Sequence, residues 1–361
     1  VIKYIGSKRA LLPVIVDAVR RAAPEGGTVL DLFSGTSRVG HALKRAGYRV
    51  IANDHNAYAA TLARCYVQAD AEDVLEDARR LVAELDALPG RAGWFTHTYC
   101  ERSRYLQPFN GERVDAVREA IARKGLEPEL ESVLLVSLME AADRVDSTTG
   151  LQMAYLKRWS ARSFNRLEMR VPEVLPRAAG GKGAAHALDA YEAATFEADV
   201  TYIDPPYNQH SYLGNYHVWE SLVRWDRPGV YGVACKRADV RERRSDFNSR
   251  PRFAAALRRV LGSLRSRAVV VSFSDEGFVS RVEMEAMLGE LWGGRAAVSV
   301  VERDYKRYVG AQIGIYNPRG EKVGAVGRLR NTEFVYVARS SGNDPHSQTP
   351  AARVASSEVV V

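Results

Sequence analysis

Three cysteines stand in 361 residues, Cys65, Cys100 and Cys235, and they lie far apart in the chain. They are too few and too scattered for a disulfide framework or a thiolate metal cluster, so a reducing cytoplasm is the expected compartment. The seven histidines show no paired spacing of the kind metal sites use, and no metal is expected. Long apolar runs are missing too. Stretches such as Val133 to Met139 fall far short of the roughly 20 residues a membrane span needs. No signal-peptide pattern opens the chain, which starts at Val1, so an initiator methionine or a short leader is expected before it. Internal repeats are absent, which excludes a solenoid.

What remains is the composition of a soluble globular protein, 46% apolar and 26% charged, long enough for one large domain or two ordinary ones. The formal net charge is +7, with a pI near 9.3. That balance permits a polyanionic partner without establishing one. Lys236 to Arg252 concentrates seven basic residues against three acidic ones. A solvated helix face explains such a run as readily as a phosphate-binding loop.

The first sixty residues alternate helix and strand. "LLPVIVDAVRRAA" has helical periodicity, "GTVLDLF" is a short apolar strand, "SGTSRVGHALKRAG" turns into a helix ending at Gly47, and "YRVIANDHN" is a second strand. This is a βαβ unit, the start of a doubly wound parallel sheet. From 61 to 185 the pattern becomes helical and then basic with interleaved aromatics, and it reads as an insertion. "PRAAGGKGAAHA" reads as a linker or loop within it. The α/β pattern resumes over 186–339, and the polar tail 340–361 is expected to be disordered.

In an open parallel sheet, ligands bind beyond the carboxyl ends of the strands. Three acids fall at such ends: Asp31, Asp54 and Asp204. The turn "DLFSGTS" offers Gly35 for close backbone approach with a helix N-terminus behind it. Asp54 is placed where a carboxylate can accept both hydroxyls of a ribose. A dinucleotide fingerprint would need a further glycine, and the chain has only Gly35 and Gly40 here.

The strand "ADVTYID" then ends in Asp204-Pro205-Pro206-Tyr207. Neither proline has an N–H, while both keep a carbonyl acceptor, and Asp204 adds two acceptor oxygens. A wall rich in acceptors and poor in donors suits a group with two hydrogens to give, such as the exocyclic amine of a nucleobase. That amine is a weak nucleophile because its lone pair is delocalised into the ring. Holding its hydrogens between Asp204 and the Pro205 carbonyl frees the lone pair and stabilises the cationic amine that forms on transfer. Tyr207 offers a flat surface for the base. A strand-terminating turn is the plainer explanation of the two prolines. Asn208, His210 and Tyr212 follow the motif and suit the wall of a base pocket, though a turn accounts for them nearly as well.

At these residues the chain resembles the amino-group DNA methyltransferases that use S-adenosylmethionine, and most closely the adenine-specific, Dam-like class. "KYIGSKRALLP" resembles the amino-terminal cofactor motif, with Tyr4, Gly6 and Lys8 in matching places. "VLDLFSGTSRVG" is similar to the family's cofactor turn at Asp31, Phe33 and Gly35, with Ser37 where a second glycine is usual. "ANDHN" carries the ribose-binding acid at Asp54, and "AHALDA" resembles the segment whose acid, Asp189, meets the cofactor adenine. "DPPY" matches the catalytic motif residue for residue.

The resemblance implies a Rossmann-like catalytic domain at 1–60 and 186–339, interrupted by a mainly helical target-recognition region at 61–185. It further implies S-adenosylmethionine as cofactor and adenine N6 in double-stranded DNA as the acceptor. Cytosine-directed relatives more often carry serine in place of Asp204. RNA- and glutamine-methylating relatives more often carry asparagine. A base inside a duplex cannot present its amine to this pocket, so it would be flipped out. Lys236, Arg237, Arg243 and Arg244 then become candidate phosphate contacts, as do Lys157, Arg158 and Arg162 in "YLKRWSARSFNR". A cognate restriction endonuclease is the partner such enzymes suggest, and a monomer is the family default. An RNA adenine methyltransferase and an inactive DNA-binding relative stay open. A nicotinamide oxidoreductase leaves the prolines unexplained.

Overall fold

The computed structural model describes residues 2–6, 8–209, 211–306 and 330–341; the tail expected to be disordered lies outside them from residue 342. Seven strands form one mixed sheet: β1 (Thr28–Asp31), β2 (Arg49–Asn53), β3 (Ala184–His186), β4 (Val200–Ile203), β5 (Ala268–Ser274), β6 (Ala296–Lys306) and β7 (Arg330–Ser340). Their spatial order is β3-β2-β1-β4-β5-β7-β6. The first five are parallel, and β7 joins β5 and β6 antiparallel. This is the doubly wound, Rossmann-like class expected.

The strand sequences explain their places. β5, "AVVVSFS", is buried at all seven positions and sits between β4 and β7, as a run of β-branched and aromatic residues covered on both faces should. One face is covered by the helix Leu12–Ala22 (α1), whose Ile15, Ala18 and Val19 pack with Val29, Val50 and Val270. Its last turn carries Arg20 and Arg21, which suit the negative end of the helix dipole. The other face is covered by Arg250–Ser263 and Arg281–Gly289, which bury Phe253, Leu257, Met284 and Leu288 against Val269, Val271 and Phe273.

Two boundaries differ from the sequence reading. The stretch read as a linker or loop ends in β3, an edge strand of two alanines and a histidine, too short and too poor in β-branched residues to stand out. The region between β2 and β3 is helical as expected, with Ala71–Asp86, Pro108–Arg123 and Pro128–Arg144 as its long helices. Its core, however, is continuous with elements that flank the sheet. Tyr99, Leu134 and Leu138 share one apolar cluster with Tyr58 and with Trp219 and Leu222 of the helix His217–Arg224, which follows β4.

The β1 turn is tightly built. Gly35 has φ 49°, and a Cβ there would stand 3.3 Å from the Tyr4 hydroxyl. Ser37, where a second glycine is usual, takes the same left-handed conformation (φ 58°, ψ 21°) and caps the helix Arg38–Arg45 (α2) without a side-chain hydrogen bond. It is fully buried, and its hydroxyl has no hydrogen-bond partner among the described residues. The serine therefore keeps the glycine's backbone shape at a cost. Ser37→Gly is expected to leave the fold unchanged and to stabilise it by about 1 kcal/mol, read from urea unfolding midpoints of the two proteins.

Candidate active site

β2, β1 and β4 are neighbours and run parallel, so their carboxyl ends open on one cleft. The cleft is partly open to solvent, and the space within it, solvent at its mouth included, comes to about 930 Å3. Tyr4, Lys8, Asp31, Phe33, Gly35, Asp54, Asp204 and Pro206 all line it. Eight of the residues singled out from sequence thus converge on one space.

Asp31 ends β1 and is 1% exposed. One of its oxygens accepts the Gly40 N–H at 3.2 Å, a contact close enough that a Cβ on Gly40 would lie 3.2 Å from it. The other oxygen is buried and has no hydrogen-bond partner among the described residues. Burial, followed by the charge of Asp204, pushes the Asp31 carboxyl up to about 8. Such an orphaned, reluctant carboxylate is a seat for a cation. An amino-acid ammonium beside a sulfonium fits that demand, so the residues present suit S-adenosylmethionine.

Asp54 links two turns. Its carboxylate accepts the N–H of Gly35 at 3.1 Å and the backbone and side-chain N–H groups of Asn56 at 2.9 and 3.1 Å. Each oxygen can accept more than one donor, so capacity for ribose hydroxyls remains. Phe33 meets Phe247 edge to face at 5.0 Å. Asp189 accepts the Tyr191 N–H at 2.9 Å as the cap of a short helix, while its neighbours Leu188 and Ala190 line the cleft. Asp189 itself lies in the adjoining groove with Phe33, His55 and Phe247.

The amino-terminal segment closes one side. Tyr4 stacks on Tyr216 at 4.5 Å and on Tyr212 at 5.2 Å, both nearly coplanar, and its hydroxyl lies 3.3 Å from that of Tyr58. Lys8 sits on a short turn before α1, 6% exposed, and its ammonium does not face open solvent. It lies 3.1 Å from Oδ1 of Asp204 and 3.4 Å from Oε2 of Glu333. Lys8 is thus directed at the Asp204 carboxylate, whereas the motif resemblance groups it with the cofactor.

Asp204 follows β4 and keeps 20% of its side chain exposed. Burial pushes its carboxyl up to about 6; Lys8 works against that rise and the Glu333 charge adds to it. Pro205 is buried and Pro206 half-buried. The half-buried Tyr207 ring meets Phe273 edge to face at 5.1 Å, with Lys8 Nζ 5.6 Å from its centroid. Ser211 and Tyr212 also reach the cleft; His210 lies outside the described residues.

The candidate phosphate contacts divide. Lys157, Arg158 and Arg244 are exposed, and Lys236 is half-buried. Arg162 is turned toward Asp146, with Nε 3.0 Å from its carboxylate. Arg237 is 1% exposed, its guanidinium bidentate on Asp226 at 2.7 and 2.8 Å and on Asp239 at 3.0 Å. Arg243 donates to Glu220 and to the His55 carbonyl, both at 2.9 Å, and lines the cleft with Ser245 and Asn248. The basic run is therefore neither a plain phosphate loop nor a solvated helix face. Two of its arginines are drawn inward by carboxylates, and its far end overhangs the cleft.

Sequence reasoning passed over Glu220, Glu333 and Arg38. Glu220 and Glu333 are buried acids with buried apolar neighbours, Trp219 and Leu222 beside the one and Phe334 and Val335 beside the other, and Arg38 opens α2 and lines the cleft. A buried acid in an apolar run was the available signal. Among the described residues, no cluster of side chains could hold a metal ion and no helix is long and apolar enough to cross a membrane. Arg237→Ala is expected to cost about 2–3 kcal/mol of folding stability, whereas Arg244→Ala changes it by less than about 0.5 kcal/mol. Urea unfolding of both variants checks the contrast.

Comparison with known proteins identifies the family. Residues 4–268 match the family described as D12 class N6 adenine-specific DNA methyltransferase. The chain is 28% identical over 322 residues to "Modification methylase StsI" of Streptococcus sanguinis, covering 85% of this chain and 48% of that protein. It is 28% identical over 304 residues to "Type II methyltransferase M.FokI" of Planomicrobium okeanokoites, covering 79% and 46%. "Type II methyltransferase M.NlaIII" of Neisseria lactamica is 27% identical over 317 residues, 84% of this chain and 92% of that protein. The chain thus spans about half the length of the first two relatives. With the family matched across most of its length and the cleft built from the motif residues, the chain belongs to the D12 class of N6 adenine-specific DNA methyltransferases.

Proposed function

We propose that this chain transfers a methyl group from S-adenosylmethionine to the N6 amine of an adenine flipped out of double-stranded DNA. The observation that carries the reading is the placement of Asp204 at the end of β4, partly exposed, in the same cleft as Asp31 and Asp54. Asp31, the Gly35 turn, Asp54 and Phe33 would hold the cofactor, with Tyr4 backing the turn and Asp189 at the adjoining groove. The cofactor, when bound, supplies an activated methyl on a cationic sulfur.

The chain's own groups supply orientation and charge. Asp204 and the Pro205 carbonyl accept the two amine hydrogens, which favours a pyramidal nitrogen with its lone pair free. The same acceptors stabilise the cationic amine as it develops. Tyr207 gives the extruded base a surface to stack on, which with phosphate contacts offsets the few kcal/mol of unstacking. Exposed Lys157, Arg158 and Arg244 are the cations best placed by exposure to meet phosphates. The helical region 61–185 would carry target recognition. Because relatives are named modification methylases and type II methyltransferases, we place the chain in the same setting, with a cognate restriction endonuclease as partner.

Two outcomes test the reading. Incubation with labelled S-adenosylmethionine and unmethylated DNA, followed by nucleoside digestion, is expected to put label in N6-methyladenine; label only in RNA, or none, overturns it. Asp204→Ala is expected to keep cofactor binding and lose at least about a hundredfold in transfer. The acceptor role needs the ionised carboxylate, so single-turnover transfer should fall as pH drops below about 6, the value to which Asp204 is raised, with the slope of one proton. A pH–rate profile checks the sign.

A further inference from the structure

Glu333 stands opposite Ser274 in the β5–β7 pairing, at the end of the sheet where Asp204 lies. It is 5% exposed, and in the stretch "TEFVYVA" of β7 it is followed by five apolar residues. It also falls outside the segment that matches the family, which ends at residue 268. A buried carboxylate is costly unless paired. Its ion-pair partner is the Lys8 ammonium at 3.4 Å, and that ammonium is already 3.1 Å from Asp204. Among the described residues, two carboxylates therefore share one buried cation, and one unit of negative charge is left over.

That imbalance is informative. A neutral Lys8–Asp204 pair would hold the catalytic carboxylate in place, but the ammonium would drain its power as an acceptor. A second carboxylate on the far side of the ammonium offsets that loss. The three groups together carry the charge opposite to the cation that develops on the adenine amine. The arrangement also biases direction, because Lys8 takes up one edge of Asp204 at Oδ1. Oδ2 is then left to accept from the substrate or from protein hydroxyls. We propose that Glu333 is a positioning residue for methyl transfer, holding Lys8 against one edge of Asp204 and keeping the cluster net negative. This rests on the adenine-transfer reading, with Asp204 as acceptor.

The charged and titratable groups that face Asp204 are Lys8 from the amino-terminal turn, Asp31 from β1, Tyr202 from β4, Tyr212 from the helix after it, and Glu333 from β7. Burial disfavours the Lys8 ammonium, yet Asp204, Tyr207 and Glu333 outweigh it and hold its pKa well above the usual lysine range. Lys8 therefore stays charged, and Asp204 and Asp31 are left to titrate. Removing the Glu333 charge takes away one of the influences that raise Asp204, so its pKa falls.

The test compares full-length wild type, Glu333→Gln and Glu333→Asp. The Asp204 carboxyl is followed by carbon NMR in aspartate-labelled protein, its signal assigned through Asp204→Asn. Single-turnover transfer to unmodified plasmid DNA is measured across the same pH range, with S-adenosylmethionine affinity and thermal unfolding alongside. In Glu333→Gln the Asp204 titration and the acidic limb of the rate profile should both move down by about one pH unit. The plateau rate should fall by up to about a hundredfold with cofactor affinity unchanged. Glu333→Asp, which keeps the charge on a shorter arm, should restore the titration but only part of the rate. An unmoved titration, or an unaltered plateau rate, in Glu333→Gln overturns the proposal. Should Glu333→Gln not fold, an Asp204 titration in Glu333→Asp displaced as far as full charge loss predicts overturns it equally. If the wild type transfers no methyl to adenine, the functional reading falls, while the titrations still decide whether Glu333 governs Asp204.

Discussion

Parallel pairing of β2, β1 and β4 brings the carboxylates of Asp54, Asp31 and Asp204 to one end of one sheet. Like charges crowded into a cleft raise each other's proton affinity and favour unfolding unless cations or N–H groups meet them. The local architecture answers that constraint at each carboxylate. Backbone N–H groups of Gly35 and Asn56 meet Asp54, the Gly40 N–H meets one edge of Asp31, and the Lys8 ammonium meets Asp204. What remains unmet is one oxygen of Asp31 and part of Asp204, which are the places where a cationic cofactor and an amine would supply the missing partners.

Lys8 can serve only because the amino-terminal segment is pinned across the sheet end. The stack of Tyr4 on Tyr212 and Tyr216 ties residues before α1 to the chain just after the catalytic motif. The Ile5 N–H adds a bond to the Tyr216 hydroxyl at 2.7 Å. Arg243 does similar work on the other side, joining buried Glu220 to the His55 carbonyl and carrying the segment Arg243–Asn248 over the cleft. Asn248 donates to the Asn208 carbonyl at 2.8 Å, so the overhang touches the loop that follows Tyr207. The β1 turn, the loop after β4 and the overhang form one bonded surround.

The βαβ opening, the glycine turn and the Asp-Pro-Pro-Tyr end of β4 could be read from the chain because their signals are local. Apolar runs, glycines and prolines act within a few residues of themselves. β3 could not, since a strand of two alanines and a histidine is made by its pairing with β2 and by little else. The basic run misled for a different reason. Counting charges does not reveal that Asp226, Asp239 and Glu220 stand ready to draw Arg237 and Arg243 inward. Ser37 shows the reverse case, a departure from the usual glycine that the surrounding turn overrides by holding the serine left-handed.

By itself the sequence determined the chemistry on offer: acceptors without donors at Asp204-Pro205-Pro206, acids at three strand ends, and a helical region between β2 and β3. Those are properties of residue types and of spacing along one segment. The tertiary structure alone decided which acids share a cation, which arginines face solvent, and that Glu333 reaches Lys8 from the antiparallel strand β7. Ion pairing depends on distance through space and on burial, and neither is written in the order of residues along the chain.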